Sequence, residues 1–231
     1  MTLPAAAPDQ PSDRSIGILG GTGPLGRGLA RRFAASGVDV VLGSRDPDRA
    51  RAAAALLPTG SGEISGGSNT EAAACSVVLV TVPYEGHAAL LTELAPALQD
   101  TLVIDCVNPL GFDAHGPYPL RPDDGSAAQE AARILADTPG ARVIAAFHHL
   151  SAELLNDDTV TSLGCDVLVL GEDRTDVAAG ISLAARLPGV SAYYGGRLRN
   201  AGQVEAFTAN LIAMNRRYKG HSGIRVTGLG S

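Results

Sequence analysis

Three glycines near the start of the chain have the spacing of a loop that holds phosphate groups. Gly21, Gly23 and Gly26 form the pattern G-x-G-x-x-G within the run GGTGPLG. Such glycines allow a tight turn, a close approach of the backbone to a pyrophosphate, and close packing of the following helix on the preceding strand. The N-terminus of that helix then faces the phosphates. The same pattern occurs in ordinary glycine turns, so the neighbouring residues must decide between the two.

The residues around this loop are those of a strand followed by a helix. Positions 16–19 are apolar or glycine, as in a buried parallel strand. Pro24 suits the first turn of a helix because its missing N–H would have no partner there. The helix is predicted to continue to about Ser36, and Gly37 ends it. This context favours a dinucleotide-binding site.

The residues that follow the second predicted strand indicate which dinucleotide binds. NAD-selective sites place an acid there for the ribose 2′-hydroxyl, whereas this chain has Ser44 and Arg45, with Arg49 one helical turn further on. An arginine can bind a 2′-phosphate through two charge-assisted hydrogen bonds, so NADP is preferred over NAD. The arginines could also belong to a solvated helix face. Asp46 and Asp48 are either ribose partners or helix-start residues.

Apolar runs alternate with alanine-rich stretches along the rest of the chain. This alternation predicts an α/β fold with a doubly wound, mostly parallel, Rossmann-like sheet and a smaller C-terminal helical portion. The predicted strands cover residues 15–19, 38–42, 77–82, 101–106, 142–147, 166–170 and 190–194. The predicted helices cover residues 24–36, 47–57, 70–74, 86–98, 126–137, 174–186 and 201–218. Segments 58–69 and 113–125 are predicted to be loops.

The length and composition of the chain indicate its domain organisation, its location and the ligands that it does not bind. A chain of 231 residues fits a disordered tail (1–13), a dinucleotide-binding domain (14–150) and a smaller C-terminal portion (151–231). The N-terminal sequence has no signal-peptide or anchor pattern, so we expect a cytoplasmic protein with no membrane contact. The net charge of −6, with one lysine, argues against a nucleic-acid surface. The three cysteines, Cys75, Cys106 and Cys165, are interpreted as core residues.

Residues just beyond the predicted strands are further candidates, because ligands of open parallel sheets bind outside the carboxyl ends of the strands. Tyr84, Asn108, His148 and His149 occupy such positions. Tyr84 is interpreted either as a cofactor contact, on the adenine or the nicotinamide side, or as an ordinary strand-end residue. Neighbouring residues of a strand point to opposite faces, so at most one of the two histidines faces the site. A metal site is not expected, because the other histidines share no ligand spacing with them.

The chain lacks the catalytic residues of several common nicotinamide enzymes. No tyrosine is followed four residues later by a lysine, which excludes the short-chain dehydrogenase pattern. The β-hydroxyacid dehydrogenases use a mid-chain lysine, whereas the only lysine here is Lys219. What remains is a hydride-transfer site without an evident general acid.

Four segments, IGILGGTGPLGRGLARRF, VVLGSR, VTVPYE and DVLVLGED, together resemble the NADPH-dependent reductases of the deazaflavin coenzyme F420. The similarity extends over roughly residues 16–218. It implies a homodimer that binds NADP(H) and coenzyme F420, with the C-terminal portion helping to enclose the deazaflavin. It also implies direct hydride transfer between nicotinamide and deazaflavin, which requires alignment of two rings and no protein acid.

The resemblance also assigns individual residues. Ala152 is expected near the nicotinamide, His148 near the deazaflavin, and Asn200 at the start of the helix that meets the deazaflavin ring. Asn108 is also expected to bind the cofactor, because it follows a predicted strand at the carboxyl edge of the sheet. The full set of expected cofactor-binding residues is Thr22, Gly23, Pro24, Leu25, Ser44, Arg45, Arg49, Tyr84, Asn108, His148, Ala152 and Asn200, with no catalytic side chain and no metal ligand.

The chain departs from the family pattern at two places. His149 and Ser151 replace residues that are usually Thr and Pro, and residues 201–202 are Ala-Gly where Ser-Arg is common. Arg197 and Arg199 are close enough in sequence to replace the lost arginine. Two alternatives therefore stay open: an NADPH-dependent reductase of another acceptor, such as a flavin, an imine or a metal complex, and a non-catalytic NADP(H) sensor.

Overall fold

The computed structural model describes residues 15–58 and 60–229. The tail predicted at residues 1–13 lies outside them. The strands are β1 (Ser15–Leu19), β2 (Asp39–Ser44), β3 (Ile64–Ser68), β4 (Val77–Val80), β5 (Leu102–Asp105), β6 (Leu110–Asp113), β7 (Gly116–Pro119), β8 (Arg142–Ala145), β9 (Cys165–Leu170) and β10 (Val190–Gly196). The helices are α1 (Pro24–Ala35), α2 (Pro47–Ala55), α3 (Asn69–Ala73), α4 (His87–Leu94), α5 (Ala127–Ile134), α6 (Ala152–Asn156), α7 (Arg174–Ala184) and α8 (Ala201–Tyr218).

Eight of the strands form one sheet in the order β10-β9-β8-β5-β4-β1-β2-β3. All neighbours are parallel except β8 and β9, which pair antiparallel through Ala145 and Leu170. The strands β9 and β10 therefore run opposite to the other six. The predicted α/β fold with a mostly parallel sheet is confirmed, and residues 151–231 add both sheet strands and helices α6, α7 and α8 to it.

The sheet has an apolar core on each face, as helices on both sides require. The strand β4 shows the alternation: Leu79 belongs to one core, and Val78 and Val80 belong to the other. Cys75, Cys106 and Cys165 are buried and free, as predicted for core residues. Within residues 15–58 and 60–229, no helix combines the length and the apolar character needed to span a bilayer.

Segment 58–69 was predicted as a loop, and this prediction is wrong for Ile64–Ser68, which form β3 and pair with β2. The glycines that suggested a loop serve close packing instead. A Cβ on Gly66 would lie 2.3 Å from the carbonyl of Ala50 in α2, so only glycine allows the helix to pack this closely on the strand.

Segment 113–125 was also predicted as a loop, but it contains β7, which pairs antiparallel with β6 in a separate two-stranded sheet. Pro117 and Pro119 favoured a loop in the sequence prediction because proline has no N–H for a strand ladder. They are tolerated here because β7 pairs with one strand only, β6. The five-residue helix α6 was not predicted either. Conversely, the predicted strands 77–82, 101–106 and 142–147 end one or two residues earlier than expected.

Candidate active site: a dinucleotide cleft at the carboxyl edge of the sheet

The glycine loop has the geometry expected of a phosphate-binding turn. The N–H of Gly21 donates to the carbonyl oxygens of Ile18 at 3.2 Å and Gly43 at 2.9 Å, which ties the loop to β1 and β2. A Cβ on Gly26 would lie 2.7 Å from the Cα of Gly21, so α1 can approach the loop only with glycine there. At Gly23 the nearest such protein atom is 3.5 Å away, which leaves the N-terminus of α1 open to a bound phosphate.

A cleft of about 1100 Å³ extends from this loop along the carboxyl edge of the sheet. Eight of the twelve predicted cofactor-binding residues line it: Thr22, Gly23, Pro24, Leu25, Ser44, Arg45, Arg49 and Asn108. The sequence reasoning missed further polar lining residues: Ser68, Asn69, Thr70, Thr81 and Glu93. The sequence contained one indication of the turn at residues 68–70. Ser68 and Glu71 have the spacing of a capping box, and they form one at the start of α3.

The tip of β2 presents free cationic groups to one end of the cleft. The hydroxyl of Ser44 accepts a hydrogen bond from the N–H of Asp46 at 3.1 Å. Arg45 and Arg49 are exposed, and neither forms an ion pair with a residue that the structure describes. Two exposed guanidiniums beside a hydroxyl held by a main-chain N–H suit a phosphate group.

The acids at this tip act as helix-start residues, one of the two alternatives left open by the sequence. The Asp46 side chain accepts from the N–H groups of Asp48 and Arg49 and so caps α2. Asp48 forms an exposed ion pair with Arg51 at 2.7 Å. Both carboxylates therefore have partners within α2, and neither is assigned to the ribose of a bound cofactor.

Four predicted residues do not line the cleft: Tyr84, His148, Ala152 and Asn200. The hydroxyl of Tyr84 donates to Oε2 of Glu130 at 3.2 Å. Burial and the Glu130 carboxylate raise the pKa of Tyr84 to about 12. Asn200 precedes α8, and Ala152 begins α6.

His148 is buried beyond the end of β8, and neither of its ring nitrogens has a hydrogen-bond partner among the described residues. Burial lowers the pKa of His148 to about 4, so the ring is neutral at physiological pH. The neighbouring His149 donates from Nε2 to the carbonyl oxygen of Val204 in α8 at 2.7 Å. Both histidines border one small internal cavity rather than the large cleft.

A group of hydrogen bonds connects Asn108, at the cleft, to α8. The side-chain amide of Asn108 donates to the carbonyl oxygen of His148 at 3.1 Å, while Oγ1 of Thr208 lies 3.0 Å from Oδ1 of Asn108 and 3.3 Å from the same carbonyl. These contacts link the ends of β5 and β8 to α8. Nothing in the sequence pattern singled out Thr208, which lies one hundred residues from Asn108.

The segment that carries Ala152 is anchored to the helix of the glycine loop. Arg32 of α1 donates to the carbonyl oxygens of four residues in this segment. These residues are Leu154, Leu155, Asp157 and Val160. The side chain of Asn156 adds a bond of 2.9 Å to the carbonyl oxygen of Pro24. Arg32, in the last turn of α1, and Asn156, which contacts its first residue, therefore hold α6 alongside α1.

The loop before α1, the open cleft at the carboxyl edge and the serine and arginines at the tip of β2 define a dinucleotide-binding protein of the Rossmann type. A family model described as NADP oxidoreductase, coenzyme F420-dependent, matches residues 15–109. The F420-dependent NADP reductase of Methanothermobacter thermautotrophicus is 38% identical over 222 residues, which cover 93% of this chain and 95% of that protein. The F420-dependent NADP reductase of Methanocaldococcus jannaschii is 35% identical, with 93% of this chain and 98% of that protein covered. The chain belongs to the family of F420-dependent NADP reductases.

A solved structure from Arthrobacter sp. FB24 shares the fold, with a TM-score of 0.76 and coverage of 92% of this chain and 99% of that chain. Its sequence identity of 22% makes this likeness one of fold alone.

Proposed function

We propose that the protein catalyses reversible hydride transfer between NADP(H) and the deazaflavin coenzyme F420. The observation that carries the proposal is the cleft itself, with the glycine loop at the start of α1 and with Ser44, Arg45 and Arg49 at the tip of β2. The relatives support it, since they match almost the whole chain and are named for this reaction.

In this proposal, the pyrophosphate of NADP(H) binds against residues 22–25, where the N-terminus of α1 faces the cleft. The 2′-phosphate is bound by the Ser44 hydroxyl and the guanidiniums of Arg45 and Arg49. Asn108 then lies at the far wall of the cleft, where its amide is already fixed by the carbonyl oxygen of His148. The coenzyme thus spans the carboxyl ends of β1, β2, β4 and β5.

The two coenzymes supply the redox chemistry, because a hydride passes directly between C4 of the nicotinamide and C5 of the deazaflavin. The protein contributes alignment, and holding two reacting carbons at about 3 to 3.5 Å is the expected catalytic effect. No side chain needs to act as general acid. Reduction of the deazaflavin consumes a proton, so low pH favours that direction and high pH favours formation of NADPH.

The deazaflavin side of the site is assigned to residues 151–231 together with His148. His148 and Asn200 are the proposed deazaflavin contacts, Ala152 is the proposed nicotinamide contact, and Tyr84 is retained as a contact at the β4 end. Their support is the family membership and their position around α6 and the start of α8. In the same proposal, residues 14–150 form the dinucleotide-binding domain.

Homodimeric assembly is also part of the proposal. Helix α8 and the β6–β7 hairpin, which pack against each other, carry exposed apolar side chains: Phe112, Tyr118, Phe207, Met214 and Tyr218. Exposed apolar side chains on neighbouring elements are typical of an interface between subunits. A cytoplasmic location stays a prediction of the sequence.

The test is to mix the purified protein with NADPH and oxidised coenzyme F420 and to follow loss of the deazaflavin absorption band. NADH and a free flavin serve as parallel controls. Rapid bleaching with NADPH and F420 only is the expected result. Binding of NADPH without any bleaching would favour another acceptor or a non-catalytic sensor.

A further inference from the structure

A cluster of buried ionisable side chains lies behind the cleft, and the proposed reaction does not use it. Its members are His87 at the start of α4, Asp105 at the end of β5, Glu130 in α5 and Glu205 in α8. His87 and Asp105 have no exposed surface, and Glu205 is 2% exposed. Four such groups, from four elements, are costly to bury unless their charges and hydrogen bonds compensate one another.

His87 lies between two carboxylates. Its Nε2 is 2.7 Å from Oδ2 of Asp105, and its Nδ1 is 2.8 Å from Oε1 of Glu130. A neutral imidazole has one N–H, so one of these contacts would place two acceptors face to face. An imidazolium donates to both carboxylates and satisfies the geometry.

The electrostatic environment agrees with this protonation state. Burial lowers the pKa of His87, but the hydrogen bonds and charges of Asp105 and Glu130 outweigh burial and raise it to about 9. Tyr84 and the fourth member of the cluster, Glu205, are also close to His87. Tyr84 bonds to Glu130, and Glu205 accepts from the N–H groups at the start of α5, with its pKa raised to about 8, chiefly by burial.

The cluster connects two walls of the cleft. The second oxygen of Asp105, Oδ1, accepts from the N–H of Val107 at 3.0 Å, and residues 106–108 line the cleft. On the other wall, Gly86, Ala89 and Leu90 flank His87 in sequence and also line the cleft. His87 therefore joins segment 82–90 to the carboxyl end of β5 through a single buried ring.

We propose that His87, as a cation bridging Asp105 and Glu130, is a positioning residue that holds cleft walls 82–90 and 106–108 at the separation needed to bind NADP(H). The inference rests on the proposed function, because it takes NADP(H) as the ligand of the cleft. Loss of the charge leaves two buried carboxylates without a counter-ion, which drives the walls apart.

The test variant is Glu130→Gln, which keeps the shape of the side chain and removes one of the two carboxylates. NADPH binding is measured through the fluorescence of NADPH between pH 6 and 10, with no interference from protein tryptophan since the chain contains none. We expect the Kd for NADPH to rise about tenfold at pH 8, with the loss beginning at lower pH than in the wild-type protein. The kcat at saturating NADPH should change less than threefold.

Arg133→Gln is the matched control. It lies on the same helix, α5, and removes an exposed ion pair with Asp124, so NADPH affinity and its pH profile should stay as in the wild-type protein. His87→Gln should weaken NADPH binding at every pH and make the alkaline transition smaller, because glutamine cannot be charged and only Glu205 of the cluster still titrates there.

A direct readout comes from the ¹⁵N NMR spectrum of the histidine rings in the wild-type protein, with His87→Gln assigning the signal. Two protonated ring nitrogens at pH 7 are expected. A neutral His87 ring at pH 7, or unchanged NADPH binding by folded Glu130→Gln, would overturn the inference. Absence of NADPH binding by the wild-type protein would instead contradict the proposed function, and the NMR signal would still report the charge of His87.

Discussion

In the proposed site, the preference for NADP(H) over NAD(H) is assigned to a few side chains at the tip of β2. The hydroxyl of Ser44 is oriented by the N–H of Asp46, and α2 starts directly beyond it under the cap of the Asp46 carboxylate. This arrangement leaves the guanidiniums of Arg45 and Arg49 free of the nearby acids. They are available for a phosphate, and an NADH molecule offers them none.

Arg45→Ala is expected to weaken NADPH binding and to leave NADH binding almost unchanged. Each lost charge-assisted contact costs roughly 1.5 to 3 kcal/mol, which corresponds to about a tenfold or larger rise in Kd. Titration of both nucleotides measures the effect. Arg51→Ala is the control, because Arg51 lies in α2, the helix that follows Arg45, but outside the cleft. Equal losses for NADPH and NADH would show that Arg45 does not contact the 2′-phosphate.

On the acceptor side, Arg199 is the better candidate to replace the arginine that the chain lacks at position 202. Arg197 already donates to Glu172 at 3.0 Å, whereas Arg199 is exposed and forms no ion pair within the described part of the chain. Arg199→Ala should raise the KM for the deazaflavin several-fold and leave NADPH affinity unchanged, while Arg197→Ala should affect both less. Steady-state kinetics with each coenzyme varied in turn decides this, and parallel effects on both coenzymes would refute it.

The place of the glycine loop and the β2 tip in the cleft could be predicted from the sequence because both belong to local motifs, while their contacts with the cofactor stay predictions. The surroundings of Tyr84 and His148 could not. The Tyr84 hydroxyl is bonded to Glu130, forty-six residues away, and His148 borders a small cavity whose wall includes residues 166–168 of β9 and Val204 of α8. Their roles as coenzyme contacts stay predictions.

At the scale of the elements, α1 both borders the cleft and holds the segment that follows β8. Its N-terminus faces the cleft, and its last turn holds the segment after β8 through Arg32. Arg32 is 8% exposed and donates to four main-chain carbonyl groups, those of Leu154 and Leu155 in α6 and of Asp157 and Val160 beyond it. Unpaired buried carbonyl groups are costly, so this one residue fixes α6 and the segment after it.

Arg32→Met should therefore destabilise the protein by about 3 kcal/mol or more, which corresponds to a fall in Tm of roughly 6 to 12 °C. It should also reduce kcat, because α6 carries Ala152 at the proposed nicotinamide contact. Arg186→Met is a suitable control, since Arg186 is exposed and makes one weak bond of 3.4 Å to the carbonyl oxygen of Ser36. Differential scanning calorimetry measures the shift, and an unchanged Tm for Arg32→Met would contradict this role.

Long, regular elements were predictable from the sequence. The helix α8 has the predicted bounds, and α1 differs by one residue. The elements that were missed lack a local signal: β3 is a glycine-rich edge strand stabilised by β2 and α2, and α6 is a single short helix held by Arg32. In these cases tertiary contacts outweigh the local preference.

At the scale of the whole molecule, three buried groups couple stability to pH. Burial holds His148 neutral with a pKa of about 4, so stability is lost as the pH falls below the usual value of 6.5. The pKa of Glu205 is raised by burial from 4.5 to about 8, so ionising it in the fold costs stability as the pH rises through that window. The ion pairs of His87 are complete below pH 6.5 and are lost as the pH rises to about 9.

Between pH 4.5 and 6.5 the effects of Glu205 and His148 oppose each other, and above pH 6.5 those of Glu205 and His87 add. We expect a nearly constant Tm from about pH 5 to 6.5 and a fall of roughly 5 to 10 °C by pH 9. His87→Gln should make the alkaline decline shallower, whereas the exposed His115→Gln should not. A Tm that rises from pH 7 to 9 would show that the buried cluster is not charged as described.

The reaction itself is tested most directly by following the transferred hydrogen. NADPH carrying deuterium at the transferable C4 position is incubated with the protein and oxidised coenzyme F420 in ordinary water, and the reduced deazaflavin is examined by NMR. Direct transfer between the aligned rings predicts deuterium at C5 of the product. Bleaching of F420 without deuterium at C5, or no bleaching despite bound NADPH, would contradict hydride transfer between these two coenzymes.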